Sequence, residues 1–312
     1  MLLPLLTAVL LAAPPDPPNA RTTSIYPELR AFYEDLHRNP ELGYQEVRTA
    51  GKLAEKLRAL GYEVTTGVGK TGVVAVLRNG KGPTVLLRAD MDALPMQEKT
   101  GLPYASVATT KTDAGETVPV MHGCGHDIHV TTLVGAAALL AAVKNEWRGT
   151  LILVGQPAEE GGGGASAMLK DGFLERFGRP DFALALHDVA DLPAGSLGIT
   201  PGPTHANSDR VDITVYGKGG HGSTPHLTVD PIVIAARIVV TLQTIVARET
   251  DPLESAVVTV GAIRGGTTYN IIPDETTLKL TVRSFKPEVR ERLLAAIARI
   301  AKAEAAAAPR RC

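Results

Sequence analysis

The sequence predicts an α/β protein in two parts: a catalytic body with a central, mostly parallel sheet flanked by helices, and a smaller α/β domain with an antiparallel sheet. Three observations point there. Up to Thr200, apolar runs of strand length alternate with helical patterns, and three of those runs end in Asp90 and Asp92, in Glu159 and Glu160, and in His187. After Pro201-Gly202-Pro203 the patterning turns to strict alternation, as in Val211, Ile213 and Val215, which marks a half-exposed strand. Within the first region, Met121-His122-Gly123-Cys124-Gly125-His126-Asp127-Ile128-His129 places three histidines and a cysteine within nine positions, in a chain of 312 residues that has only 8 His and 2 Cys.

Composition narrows the function. Hydrophobic residues make up 44% of the chain, enough for a full core, and 32 basic against 33 acidic residues leave a net charge of −1. No basic excess points to nucleic acid, and 4% aromatic residues supply no base-stacking platform. Cys124 and Cys312 do not make a disulfide framework. Leu2 to Ala13 is an apolar run broken by Pro4 and followed by Pro14-Pro15-Asp16-Pro17-Pro18. It is too short to span a bilayer and resembles a secretory signal over residues 1–20, though no Lys or Arg precedes it. The expectation is export to the periplasm or medium, with a cytoplasmic protein as the alternative. No other segment reads as a membrane span.

The elements follow in order. Leu29, Phe32, Tyr33 and Leu36 share one stripe of a helix from Tyr26 to Arg38, which Asn39-Pro40 stops. Gln45 to Leu60 is a second helix, with Gly61 placed to end it. Tyr62–Thr65, Gly72–Leu77 and Thr84–Asp90 read as strands, the last mostly apolar and therefore central. An apolar helix from Asp127 to Lys144 follows the cysteine–histidine loop. Gly149–Val154 and Asp181–His187 are further apolar strands, with a short helix at Ala165–Lys170 between them. Residues 25–200 form the first domain on this reading. Residues 204–308 form the second, with strands at Ser208–Tyr216, Val257–Ile263 and Thr276–Val282 and helices at Pro231–Val246 and Lys286–Ala308.

The chemistry sits at the strand ends. Ligands of open α/β sheets bind outside the carboxyl ends of the strands, and Cys, His, Glu and His arriving there together form a metal-ligand set. Of two adjacent glutamates, one can coordinate while the other faces the substrate's water. Gly161–Gly164 resembles a phosphate loop only superficially, because no Gly-Lys-Ser/Thr follows. A competing reading makes Cys124 a nucleophile with a neighbouring His as base. It leaves the carboxylate pair and His187 without a task.

Several blocks carry a family resemblance: Leu87-Arg88-Ala89-Asp90-Met91-Asp92-Ala93-Leu94-Pro95, the 121–127 loop, Gln156-Pro157-Ala158-Glu159-Glu160, Leu186-His187, Gly219-Gly220-His221-Gly222 and Asn270-Ile271-Ile272-Pro273. In this order they resemble the M20 metallopeptidases, within them the amidohydrolase branch of hippurate hydrolases and plant auxin-conjugate hydrolases, from about Ile25 to about Ala306. The resemblance implies two divalent metal ions, zinc or else manganese, cobalt or nickel, and a lid domain inserted into the catalytic one. It implies Cys124, His126, Glu160 and His187 as metal ligands, Glu159 as general base and Asp92 as an orienting carboxylate. Asp90 stands where other branches place a metal-binding His. His221 resembles an oxyanion-stabilising residue, and Asn270 and Arg283 resemble groups that hold a substrate carboxylate. The substrate class implied is the N-acyl amino acid or a related conjugate, cleaved at its amide by a homodimer joined through the lid. In the family the catalytic domain resumes after the lid and supplies a further metal-binding His, whereas no His follows His226 here. A shortened, catalytically impaired member is therefore the alternative.

Overall fold

The computed structural model describes residues 20–308, apart from Asp113 and Gly162. All but the last residue of the stretch read as an export signal lies outside the described residues. The chain divides into two compact units, Met1–Leu197 and Gly198–Cys312.

The first unit runs α1 (Ala20–Arg38), α2 (Val47–Ala59), β1 (Glu63–Val68), β2 (Gly72–Asn79), β3 (Thr84–Asp90), β4 (Thr109–Lys111), β5 (Thr117–Pro119), α3 (His126–Ala142), β6 (Gly149–Gln156), α4 (Gly164–Lys170), α5 (Phe173–Phe177) and β7 (Phe182–Ala185). Helix α1 starts earlier than its stripe suggests and carries Pro27 inside it. Helix α2 stops at Gly61, whose φ of 85° suits a residue without a Cβ. There the Gly61 and Tyr62 amides donate to the Arg58 and Leu57 carbonyls.

Five strands form a mixed sheet in the order β1-β2-β6-β3-β7. β2 pairs antiparallel with β1 and β6, while β3 lies parallel to both β6 and β7. The parallel half decides where the chemistry sits, because the carboxyl ends of β3, β6 and β7 reach the same edge. Asp90 is level with Gln156 and Arg88 with Ala185, so Asp92, the Glu159–Glu160 pair and His187 all follow at that edge.

Both faces of the sheet centre are covered. Val73, Ala75, Leu77, Leu151 and Leu153 pack with α1, α2 and α3 through Phe32, Leu36, Leu53, Leu57, Val130 and Leu133. Their neighbours Val74, Val76, Ile152 and Val154 pack with Met168 and Phe173 on the other side. Burial on both faces is why these strands read as unbroken apolar runs. β7 looks the same in sequence but is an edge strand, with Phe182, Leu184 and Leu186 exposed.

The second unit holds β8 (Asn207–Tyr216), β9 (Gly220–His221), α6 (Pro231–Thr244), β10 (Ala256–Gly265), β11 (Ile271–Ile272), β12 (Glu275–Ser284) and α7 (Pro287–Ala306). β10-β12-β8 form an antiparallel sheet. Its Val258, Leu278, Leu280 and Val282 pack with Ile234, Ile238 and Leu242 of α6 and Leu293 and Ile297 of α7. Asp230 caps α6, its side chain accepting from the Ile232 and Val233 amides. By length and composition, Pro231–Glu249 is apolar enough to cross a membrane. The burial of Ile234, Ile238, Leu242 and Ile245 in the unit's core accounts for much of that apolar character.

Candidate metal centre

Two loops and two strand ends converge at the carboxyl edge of the first unit's sheet. Gly125 precedes α3 with φ 75° and turns the chain so that His126 opens the helix. A Cβ on Gly125 would stand 2.3 Å from the Asp188 carboxylate, so this glycine is also a packing requirement. Gly125→Ala is expected to destabilise the unit by about 1–2 kcal/mol from the left-handed backbone alone, with more from displacing Asp188. Urea denaturation measures it.

His126 is completely buried. Its Nδ1 donates to the Asp92 carbonyl at 2.7 Å, which in the neutral ring leaves the lone pair on Nε2, and Nε2 is buried without a hydrogen-bond partner. Burial disfavours the imidazolium, but Asp92 and Asp90 outweigh it and raise the His126 pKa to about 8. On the other side, His187 donates from Nδ1 to the Asp188 carbonyl at 2.7 Å. Its Nε2 lies 3.5 Å from Cys124 Sγ. In both rings a backbone carbonyl takes the Nδ1 proton and turns Nε2 toward the other candidate ligands, the arrangement that orients metal-binding histidines.

Ligand atoms of Cys124, His126 and His187 lie within 4.8 Å of one another, and so do those of His126, Glu159 and Glu160. The four residues that the resemblance marks as ligands are thus neighbours, in two triads that share His126; a further triad sets His126 with Asp90 and His129, and another joins His129, His187 and Asp188. Glu160 Oε1 is buried and unpartnered. A buried, unpaired carboxylate oxygen and imidazole nitrogen are costly unless something binds them, and thiolate, imidazole and carboxylate together suit a divalent transition ion. The residues present therefore fit such ions. Burial first, then the carboxylates of Glu160, Glu159 and Asp90, push the Cys124 thiol up to about 12. A cysteine nucleophile needs the opposite shift.

Asp92 and Asp90 differ in their work. The buried Asp92 carboxylate accepts from the Glu159 amide at 2.9 Å and the Glu160 amide at 3.0 Å. Burial opposes its ionisation, yet the His126 bond and these two amides hold its pKa below the usual carboxylate value. Asp90 bonds His129 Nδ1 at 2.6 Å and pairs with Arg88 at 2.7 Å. Against its burial, His129, His126 and Arg88 lower its pKa to about 2.

His129, one turn along α3 from His126, received no role from the sequence. Its Nε2 meets both the Asp188 amide and carboxylate, so it links Asp90 to the loop carrying His187. The i, i+3 spacing on one helix face was the available signal. His122 is buried with both ring nitrogens unpartnered, and burial pushes its pKa down to about 4.

A second buried network braces the same helix start. His37 on α1 bonds Asp127 at 2.6 Å and Glu98 at 3.1 Å. Both partners accept, so the ring is an imidazolium. The Asp127 bond, then after the opposing effect of burial the Glu98 bond, raise its pKa. A histidine whose folded pKa is raised adds stability that is complete below its unfolded value and lost as pH climbs through the folded one. The expected outcome is stability falling above about pH 6.5, with a flatter slope in His37→Gln by urea denaturation across that range.

In the second unit, His221 on β9 faces Ile271 on β11, and the Gly222 amide donates to the Asn270 carbonyl at 2.8 Å. His221 and Asn270 are neighbours. The exposed His221 accepts at Nδ1 from the Ser223 amide, so its Nε2 carries the proton. Arg283 is exposed at the other end of β12, beside Ser208 and Val257. It lies eight residues from Glu275, roughly 27 Å at the usual strand rise. The fold of one chain does not group Arg283 with His221 and Asn270.

The model of peptidase family M20/M25/M40 matches residues 86–311. Hippurate hydrolase of Campylobacter jejuni is 46% identical over 268 residues, covering 85% of this chain and 66% of its own length. N-acetyl-L-cysteine deacetylase of Bacillus subtilis is 41% identical over 267 residues, 85% of this chain and 61% of its own. A solved Bacillus subtilis structure, described as a dinuclear metal binding peptidase from the M20 family, superposes with a TM-score of 0.73 at 35% identity, covering 91% of this chain and 71% of that one. The chain spans less than two thirds of the length of these two curated relatives. With the family match running from Leu86 to Arg311 and agreeing with this strand-edge constellation, the chain belongs to peptidase family M20/M25/M40.

Proposed function

We propose that this protein is a metal-dependent amidohydrolase that cleaves the amide bond of N-acyl amino acids or related conjugates. The observation that carries the reading is the pair of ligand triads sharing His126, with its buried, unpartnered Nε2. Two divalent ions, zinc or else manganese, cobalt or nickel, would supply Lewis acidity there, acidifying water and polarising the amide carbonyl. Cys124, His126, Glu160 and His187 would hold them. The relatives' names and the dinuclear neighbour support this choice.

The rest is done by the chain's own groups. Glu159, exposed beside the half-buried Glu160, takes a proton from the attacking water and returns it to the leaving nitrogen. Asp92 holds the backbone of both glutamates through their amides, so the base is aimed without using its own carboxylate. His221 offers Nε2–H to the developing oxyanion. Asn270 and Arg283, the latter through its planar fork, are the groups proposed for the substrate carboxylate, and since one chain does not group them, they meet one substrate only across the homodimer. A homodimer joined through the second unit and export directed by residues 1–20 belong to the same proposal. Light scattering and N-terminal sequencing of the secreted protein test them.

The test of the function is metal content measured with hydrolysis of N-benzoylglycine by the purified chain. About two ions per chain and turnover abolished by a chelator are expected. A folded chain without metal or turnover overturns the reading. Turnover that survives chelation but not alkylation would favour a Cys124 nucleophile, against the direction in which that thiol is pushed.

A further inference from the structure

The segment Glu41–Glu46, between α1 and α2, touches both acidic loops of the site. The Ala93 amide, next to Asp92, donates to the Glu41 carbonyl at 2.7 Å, and Leu42 bridges to Ala93. Gly43 lies against Ala158, where a Cβ would come within 3.1 Å of the Ala158 Cα. Glu46 is fully buried. Its Oε1 accepts from the Ala158 amide at 2.7 Å, and its Oε2 accepts from the Thr71 hydroxyl at 2.5 Å.

The position of Glu46 makes this use unexpected. It stands at the N-cap of α2, where a polar side chain ordinarily serves the first helical amides, yet it makes no cap bond. Glu41 does that work instead, accepting from the Arg48 amide at 3.0 Å and the Thr49 amide at 2.7 Å. Glu46 is thereby free to reach a residue 112 positions away in the chain. Its target has φ 45°, a left-handed conformation that a residue with a Cβ adopts at a cost and keeps only where its surroundings enforce it. The next two amides, of Glu159 and Glu160, are those held by Asp92. Three consecutive amides of the acidic loop therefore end on two buried carboxylates.

We infer that Glu46 is a positioning residue: by holding the Ala158 amide it locks the left-handed turn that presents Glu159 and Glu160 in fixed relative orientation. The inference rests on the roles proposed above for those two glutamates, and Glu46 itself touches neither. With the turn free, Glu160 would lose its direction toward His126 while the sheet beneath stayed intact, since β2 and β6 are packed on both faces.

The test compares Glu46→Gln, which keeps an acceptor for the Ala158 amide, with Glu46→Met, which has similar volume and a far weaker acceptor. Amide hydrogen exchange is read on the metal-free chain and zinc binding by titration calorimetry. In Glu46→Met, exchange at residues 158–160 is expected to rise about tenfold or more while β2 and β6 keep their protection. Zinc affinity should fall about 10–100-fold. Glu46→Gln should remain close to wild type in both. Unchanged exchange at residues 158–160 in Glu46→Met, or equal loss in both variants, overturns the inference. If Glu46→Met does not fold, the Ala158 amide proton resonance in Glu46→Gln carries the test. It must shift more than any resonance outside the 157–161 loop, and no shift there overturns the inference. A wild-type chain that binds no zinc removes the proposed function, while the exchange comparison still decides what Glu46 does.

Discussion

Glu159→Gln is expected to lower kcat about 10²–10⁴-fold while leaving bound metal per chain unchanged. The substitution keeps the side chain's size and removes its ability to accept a proton. It does not disturb the backbone anchor, because Asp92 holds the Glu159 and Glu160 amides rather than their side chains. Glu160, whose Oε1 is the buried and unpartnered carboxylate oxygen of the pair, keeps its place. Metal analysis alongside steady-state kinetics separates the two effects. Loss of metal in parallel with activity would move Glu159 from base to ligand, and unchanged turnover would remove it from the chemistry.

His126→Ala should have the broadest effect of any single ligand change. His126 joins Cys124 and His187 on one side and, on the other, Glu160, which stands beside the proposed base Glu159. Removing it takes a donor from each, so content is expected to drop from about two ions to fewer than one per chain. Cys124→Ala touches only one triad and should spare the other. The comparison is made by metal analysis after gel filtration, with circular dichroism to confirm folding. Folding needs checking, because removal of His126 also leaves the Asp92 carbonyl, its partner at 2.7 Å, in a buried place without a donor, which costs about 1–3 kcal/mol. Equal loss in His126→Ala and Cys124→Ala would mean that the two triads do not act as separate sites.

The sequence by itself determined the fold class and most of the strands and helices. Period-two and period-3.6 patterns depend on residues a few positions apart, and the resulting strands and helices agree with the fold to within a few residues for most elements. Helix α1 is the main exception, beginning at Ala20 rather than Tyr26. The short β4–β5 pair is not legible in the sequence, because three-residue strands carry too little pattern. The ends of β3, β6 and β7 could be compared once the strands were recognised, so Asp92, Glu159, Glu160 and His187 were legible as residues of one edge.

Only the tertiary structure decided which group holds which. The apolar run at Phe182–Ala185 is indistinguishable in sequence from β6, yet it lies at the sheet edge and is exposed. Asn270 and Arg283 are close in the chain, but β12 carries Arg283 away from the His221 loop. The free nitrogen of His126 is chosen by a carbonyl 34 positions away, and Ala158 is held by a carboxylate 112 positions away. Such pairings follow from the path of the chain through space. A hydrogen bond depends on distance and direction, and local periodicity carries neither for residues brought together by folding.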